Sequence, residues 1–89
     1  MKVINPATGH EIATLVADTE ETVKIKLAHL KEGQKDWKKV PLIDRLACIV
    51  RFGEIVQANQ EELAALLTSE TGKPLQQSLN EIRGANNRI

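Results

Sequence analysis

Cysteine is nearly absent from this sequence: Cys48 is the only one in 89 residues. A lone thiol excludes an internal disulfide framework and favours a reducing compartment. Aromatic residues are almost as scarce, with Trp37 and Phe52 alone. Neither sign of charge is in excess, since 12 Lys+Arg stand against 12 Asp+Glu. A nucleic-acid platform needs surplus cations and stacking rings, so that class of function falls away. No apolar run approaches the roughly 18 residues of a membrane span. The opening Met1-Lys2-Val3-Ile4-Asn5-Pro6 has no apolar signal core, which predicts a protein without a secretory leader, in the cytoplasm. Internal repeats and low-complexity tracts are also missing. What remains is a 42% hydrophobic chain of zero formal net charge. At this length it forms one small domain with a marginal core.

The chain divides into five pieces, each closed by a stop signal. Residues 1–17 read as a strand pair. Asn5-Pro6-Ala7-Thr8-Gly9 is the turn, because Pro6 fixes φ and Gly9 tolerates a positive one. The β-branched Ile12, Thr14 and Val16 then alternate onto one face. Two strands alone are marginal in water, so they need a partner surface. Residues 18–40 form the first helix, capped by Asp18 or Thr19, with Glu20 and Glu21 at its positive end. Val23, Leu27, Leu30 and Trp37 share one face with Gln34 between them. Gly33 weakens the later half of that helix.

Pro41 stops the first helix and opens the second, residues 41–58. There Ile43, Leu46, Val50, Gly53 and Val56 make the expected buried stripe, with Gly53 letting a neighbour approach. Asn59-Gln60-Glu61-Glu62 reads as a capping box for a third helix, residues 59–72, with Leu63, Leu66 and Leu67 inward. Gly72 ends it, and Pro74 is expected as the first residue of a fourth helix, residues 74–89. Leu75, Leu79, Ile82, Ala85 (or Asn86) and Ile89 lie along one side of that helix. The apolar pattern is still running at Ile89, which predicts a chain truncated after it. The fold class is therefore mostly α (α+β): a short strand pair followed by four amphipathic helices.

The residues that could carry chemistry reduce to structural roles. Cys48 sits in mid-helix among aliphatics, where a thiol behaves as a small buried hydrophobe rather than a nucleophile. His10 and His29 have no ligand-spaced partner and read as surface residues. Thr71-Gly72-Lys73-Pro74 lacks the upstream glycine and the Ser or Thr of a phosphate loop. Physically it is a helix C-cap followed by a proline helix start. Lys31, Lys35, Lys38 and Lys39 form a solvated basic face, or, as a weaker reading, a polyanion-binding one. Glu20/Glu21 and Glu61/Glu62 are explained by the helix dipole. Glu70 is the exception, a negative charge at the negative end of a helix. Lys73 or a bound cation would offset it, and a plain solvated carboxylate fits equally. No catalytic constellation emerges from the residues themselves.

The order of the signals is more specific than any one of them. Ile4-Asn5-Pro6-Ala7-Thr8-Gly9 precedes Glu11-Ile12-Ala13, a capped helix ending at Trp37, and Pro41-Leu42 with Arg45. Glu61-Glu62-Leu63-Ala64 and Glu70-Thr71-Gly72-Lys73-Pro74 complete the series. From Val3 to Ile89 this resembles the start of the NAD(P)-dependent aldehyde dehydrogenase superfamily. The resemblance implies a fragment, the N-terminal part of a coenzyme-binding domain in a larger α/β enzyme. It implies NAD or NADP as coenzyme and an aldehyde oxidised to an acid through a cysteine thioester. The nucleophile, base and coenzyme loop of such enzymes would all lie downstream. The segment would then be inactive and bind no cofactor alone, and Cys48 does not match the nucleophile's context.

Three residue-level expectations follow from the resemblance. The backbone carbonyl of Ile4 and the carboxylate of Glu70 would help hold a structural monovalent cation. Glu81 and Ala85 would face the substrate entrance. Gln34 stands where an aromatic residue is common, a departure that touches packing rather than chemistry. A strand pair and four amphipathic helices also leave apolar surface over. That predicts a homo-oligomer, with self-association or helix exchange of the segment. The rival reading is a free-standing helical interaction or regulatory module.

Overall fold

A computed structural model describes all 89 residues, Met1–Ile89. Strand β1 (Lys2–Ile4) pairs antiparallel with β2 (Glu11–Thr14) through the Asn5–Gly9 turn, and four helices follow. The strand pair and the four-helix order expected from the sequence are both present. Asn5 shapes the turn, as its side-chain oxygen accepts from the backbone N–H of Ala7 at 2.9 Å. Gly9 closes it with φ 74°. The register slips between Val3 and Ile4, so Ile12 is the extra residue of a bulge. β2 stops at Thr14, and Val16 is 99% exposed rather than on the strand face.

Helix α1 (Glu20–Trp37) begins with a reciprocal box. Thr19 accepts from the Thr22 N–H, and the Thr22 hydroxyl accepts from the Thr19 N–H. Helix α2 (Leu42–Ala58) starts after Pro41. Asn59 does not cap helix α3 (Gln60–Thr71), contrary to the sequence expectation. A single residue separates the two helices, and the Asn59 amide instead donates to the Ile55 carbonyl at 2.8 Å, closing α2. Gly72 ends α3 in the left-handed region at φ 74°. Pro74 is the N-cap of α4 (Leu75–Asn86) rather than its first residue. Helix α4 ends at Asn86, short of the expected Ile89.

The well-packed part of the molecule is small. Only Ala64 and Ser78 are fully buried, where α3 crosses α4. Their short side chains bring the helices together, and the Thr68 and Ser78 hydroxyls bond at 2.8 Å across the contact. The leucines expected to carry that contact sit at its margins, with Leu66 48% exposed and Leu63 and Leu67 half-buried. Gly53 of α2 does admit a neighbour. A methyl group there would lie 3.3 Å from both Asn86 Oδ1 and Ile89 Cγ2.

Elsewhere the expected stripes have nothing over them. Ile43, Leu46 and Val50 of α2 are half or more exposed, as are Val23 and Leu30 of α1. Cys48 is likewise exposed, not buried, because no element packs on that flank of α2. The molecule is a slab of 47 × 35 × 15 Å with a radius of gyration of 17.2 Å. A compact chain of this length would have about 12 Å. Its accessible surface of 7254 Å² is about 2,000 Å² more than a compact monomer of this mass shows. The slab is one helix thick.

Candidate functional site

The residues singled out in the sequence fall at two places on the slab. The first is where the N-terminal turn meets the α3–α4 junction. Because Gly72 has no side chain, the Pro6 ring lies against it, and a Cβ on Gly72 would stand 3.0 Å from Pro6 Cγ. Ile4 is two residues before Pro6, and Glu70 is two residues before Gly72. Ile4 and Glu70 thus each stand two residues along the chain from that contact. Ile4 ends β1 at 42% exposed, and Glu70 is exposed in the last turn of α3.

Lys73 does not offset Glu70. It pairs instead with Glu81, Nζ to Oε1 at 2.5 Å, from a side chain only 26% exposed. Glu70 makes no ion pair within the chain. A carboxylate at the negative end of a helix with no cationic partner is unfavourably placed. No cluster of three His, Cys, Asp or Glu side chains capable of holding a metal occurs in the chain.

The second place is a groove between α2, α3 and α4. It encloses about 560 Å³ and is lined mainly by Phe52, Ile55, Val56, Leu63, Leu66, Ile82, Ala85 and Ile89, with Asn59 and Glu62 on its rim. Ala85 lies within it. Glu81 lies one turn earlier on α4, tied to Lys73. On the other side of α4, Arg83 Nε donates to Gln60 Oε1 at 3.3 Å. Arg45 Nε and Asn86 Oδ1 are buried without any hydrogen-bond partner. Orphaned polar atoms of this kind are costly.

Two carboxyls have pKa values held below their ordinary range. The Lys2 ammonium, 2.7 Å away, lowers Glu11, aided by the Thr14 hydroxyl. The Lys26 ammonium, at 2.7 Å, lowers Asp18, aided by Thr22. Both are exposed ion pairs that fasten local structure, β1 to β2 and the start of α1. Neither lies in a cleft suited to proton transfer. A dinucleotide does not fit the residues present either. The only sheet is an antiparallel pair, and no glycine-rich strand-to-helix turn exists to cradle a pyrophosphate.

The family model that matches is the aldehyde dehydrogenase family, and it covers residues 1–89. The chain belongs to the aldehyde dehydrogenase family. Among curated relatives, a betaine aldehyde dehydrogenase of Cereibacter sphaeroides is 40% identical over 77 residues, 86% of this chain and 16% of the relative. A malonate-semialdehyde dehydrogenase of Oceanobacillus iheyensis is 35% identical over 79 residues, 89% of this chain and 16% of that one. A 3,6-anhydro-alpha-L-galactose dehydrogenase of a Vibrio species is 35% identical over 81 residues, 91% of this chain and 17% of that one. The chain thus spans about one-sixth of the length of the curated relatives it matches. No solved structure matches it. No helix is long and apolar enough to cross a membrane.

Two features of this aldehyde dehydrogenase segment were not legible beforehand. The Ala64–Ser78 crossing hides behind small residues, whose value lies in close approach rather than hydrophobicity. The Pro6–Gly72 contact joins positions at opposite ends of the chain, and only a glycine beyond a helix end hinted at it.

Proposed function

We propose that this chain is the N-terminal portion of the coenzyme-binding domain of an NAD(P)-dependent aldehyde dehydrogenase, a cytoplasmic enzyme that oxidises an aldehyde to a carboxylic acid. The observation that carries the reading is the match of all 89 residues to the family while spanning one-sixth of its members' length. The coreless slab supports it, since such a layer needs more protein to bury its apolar faces. The segment itself is inactive in this reading. Aldehyde, coenzyme and catalytic groups belong to the whole enzyme, for which NAD or NADP would serve as hydride acceptor.

Within the whole enzyme this chain's residues would act structurally. Ile4 and Glu70 would contribute a backbone carbonyl and a carboxylate to a monovalent cation that fastens the turn to the α3–α4 junction. Glu81 and Ala85 would stand at the substrate entrance. The segment on its own would self-associate. The relatives' names span cationic and anionic aldehydes, so they support the aldehyde class and no particular member. An antibody raised against the segment tests the reading on the native product. A band several times heavier than 9.9 kDa is expected. A band at 9.9 kDa would overturn it in favour of a free-standing helical interaction module.

A further inference from the structure

The most conspicuous unsatisfied feature is a mismatch between one helix and one groove. Helix α1 carries Val23, Leu27, Leu30 and Trp37 along one face, exposed by 52, 48, 71 and 45%. It makes no substantial contact with any other element. The groove between α2, α3 and α4 is apolar, about 560 Å³, and open. We propose that two copies of the 89-residue chain pair by exchange, α1 of each copy lying in the α2–α3–α4 groove of its partner.

Three observations support a second copy, and the first of them also disfavours folding back within one chain. The α1–α2 connection is not slack. The N–H groups of Lys38, Lys39 and Val40 bond to Gln34, Asp36 and Trp37 carbonyls, and those of Asp44 and Arg45 bond to the Pro41 carbonyl. Swinging α1 onto its own groove would break that run. Area is also sufficient, since half of a 47 × 35 Å face meets the roughly 800 Å² per partner of a stable interface.

Charge agrees as well. Lys31 and Lys38, one turn beyond Leu27 and Gln34, border the apolar stripe and make no ion pair in their own chain. Glu62, which lines the groove, and its neighbour Glu61 make none either. The exchange brings the free cations beside the free carboxylates, and two-fold symmetry doubles each pair. A formal net charge of zero leaves no overall repulsion between copies.

This inference concerns the 89-residue chain and does not depend on the enzymatic reading, which the native mass tests separately. Sedimentation of the purified chain at micromolar concentrations is expected to show a dimer. The doubly reversed variant K31E/K38E should weaken it by about tenfold, with helix content by circular dichroism unchanged. The variant E61K/E62K should be weakened alike, and an equimolar mixture of the two should recover part of the lost affinity. A monomer at these concentrations would overturn the proposal, whether α1 is then folded back or the groove awaits other protein. A dimer indifferent to both reversals would overturn the exchange geometry.

Discussion

Gly72 carries two constraints that most glycines do not carry together. Its φ is 74°, and a Cβ on it would lie 3.0 Å from the Pro6 ring. Gly9 shares the φ of 74° but has nothing within 4 Å. The pair therefore separates backbone strain from steric contact. Gly9→Ala should cost only the left-handed penalty, roughly 1–2 kcal/mol. Gly72→Ala should cost that plus about 1 kcal/mol for displacing the Pro6 turn. Chemical denaturation of both variants reads the difference, and Pro6→Ala in the Gly72→Ala background should remove most of the surplus. Equal costs at the two glycines would mean the turn does not lean on the helix junction. The positive φ at each glycine was legible because turn and helix-end chemistry is local. The contact with Pro6 was not, since nothing near either residue in sequence encodes the other.

At the scale of elements, helix starts were readable where one polar residue had a single task. Asp18 and Thr19 precede α1 with no competing helix, and Thr19 makes the box. Asn59 stands alone between two helices, and its side-chain N–H serves the end of α2 while its side-chain oxygen makes no cap bond to α3. Helix identity and order followed from stripes and stop signals. Burial did not, because a stripe reports what a face requires and not what this chain supplies. Asp18 gives the element-scale prediction. Folding lowers its pKa below the ordinary 3.8, through Lys26 first and Thr22 second. Its contribution to stability is present above that ordinary value and is lost as pH falls through the lower folded one. Lys26→Met should move the Asp18 midpoint, followed by NMR, back towards 3.8, and Thr22→Ala should move it less. The start of α1 should then fray at a higher pH than in the parent chain. An unmoved midpoint in Lys26→Met would show that the ion pair does not form in solution.

The whole molecule is defined by what its layers lack. Helix α2 is largely apolar, with Asp44, Arg51 and Glu54 on one arc and only the half-buried Arg45 charged elsewhere, a pattern of helices covered on both sides. In a slab 15 Å thick both of those sides face water. The leftover apolar surface was foreseeable from the stripes, whereas the choice of the α3–α4 crossing as the place where residues are fully buried was not. Unfolding such a chain exposes little new surface. The slope of its free energy against urea should fall below the roughly 1 kcal/mol per molar at the low end for compact small domains. Pairing of two copies adds a second layer and buries apolar area that must be exposed again on unfolding. The slope and the midpoint should therefore both rise with protein concentration, while a dye that binds exposed apolar surface should be released. Urea titrations at two widely separated concentrations decide the matter. A steep transition with the same slope at both would mean that the single chain closes over its own apolar faces in solution.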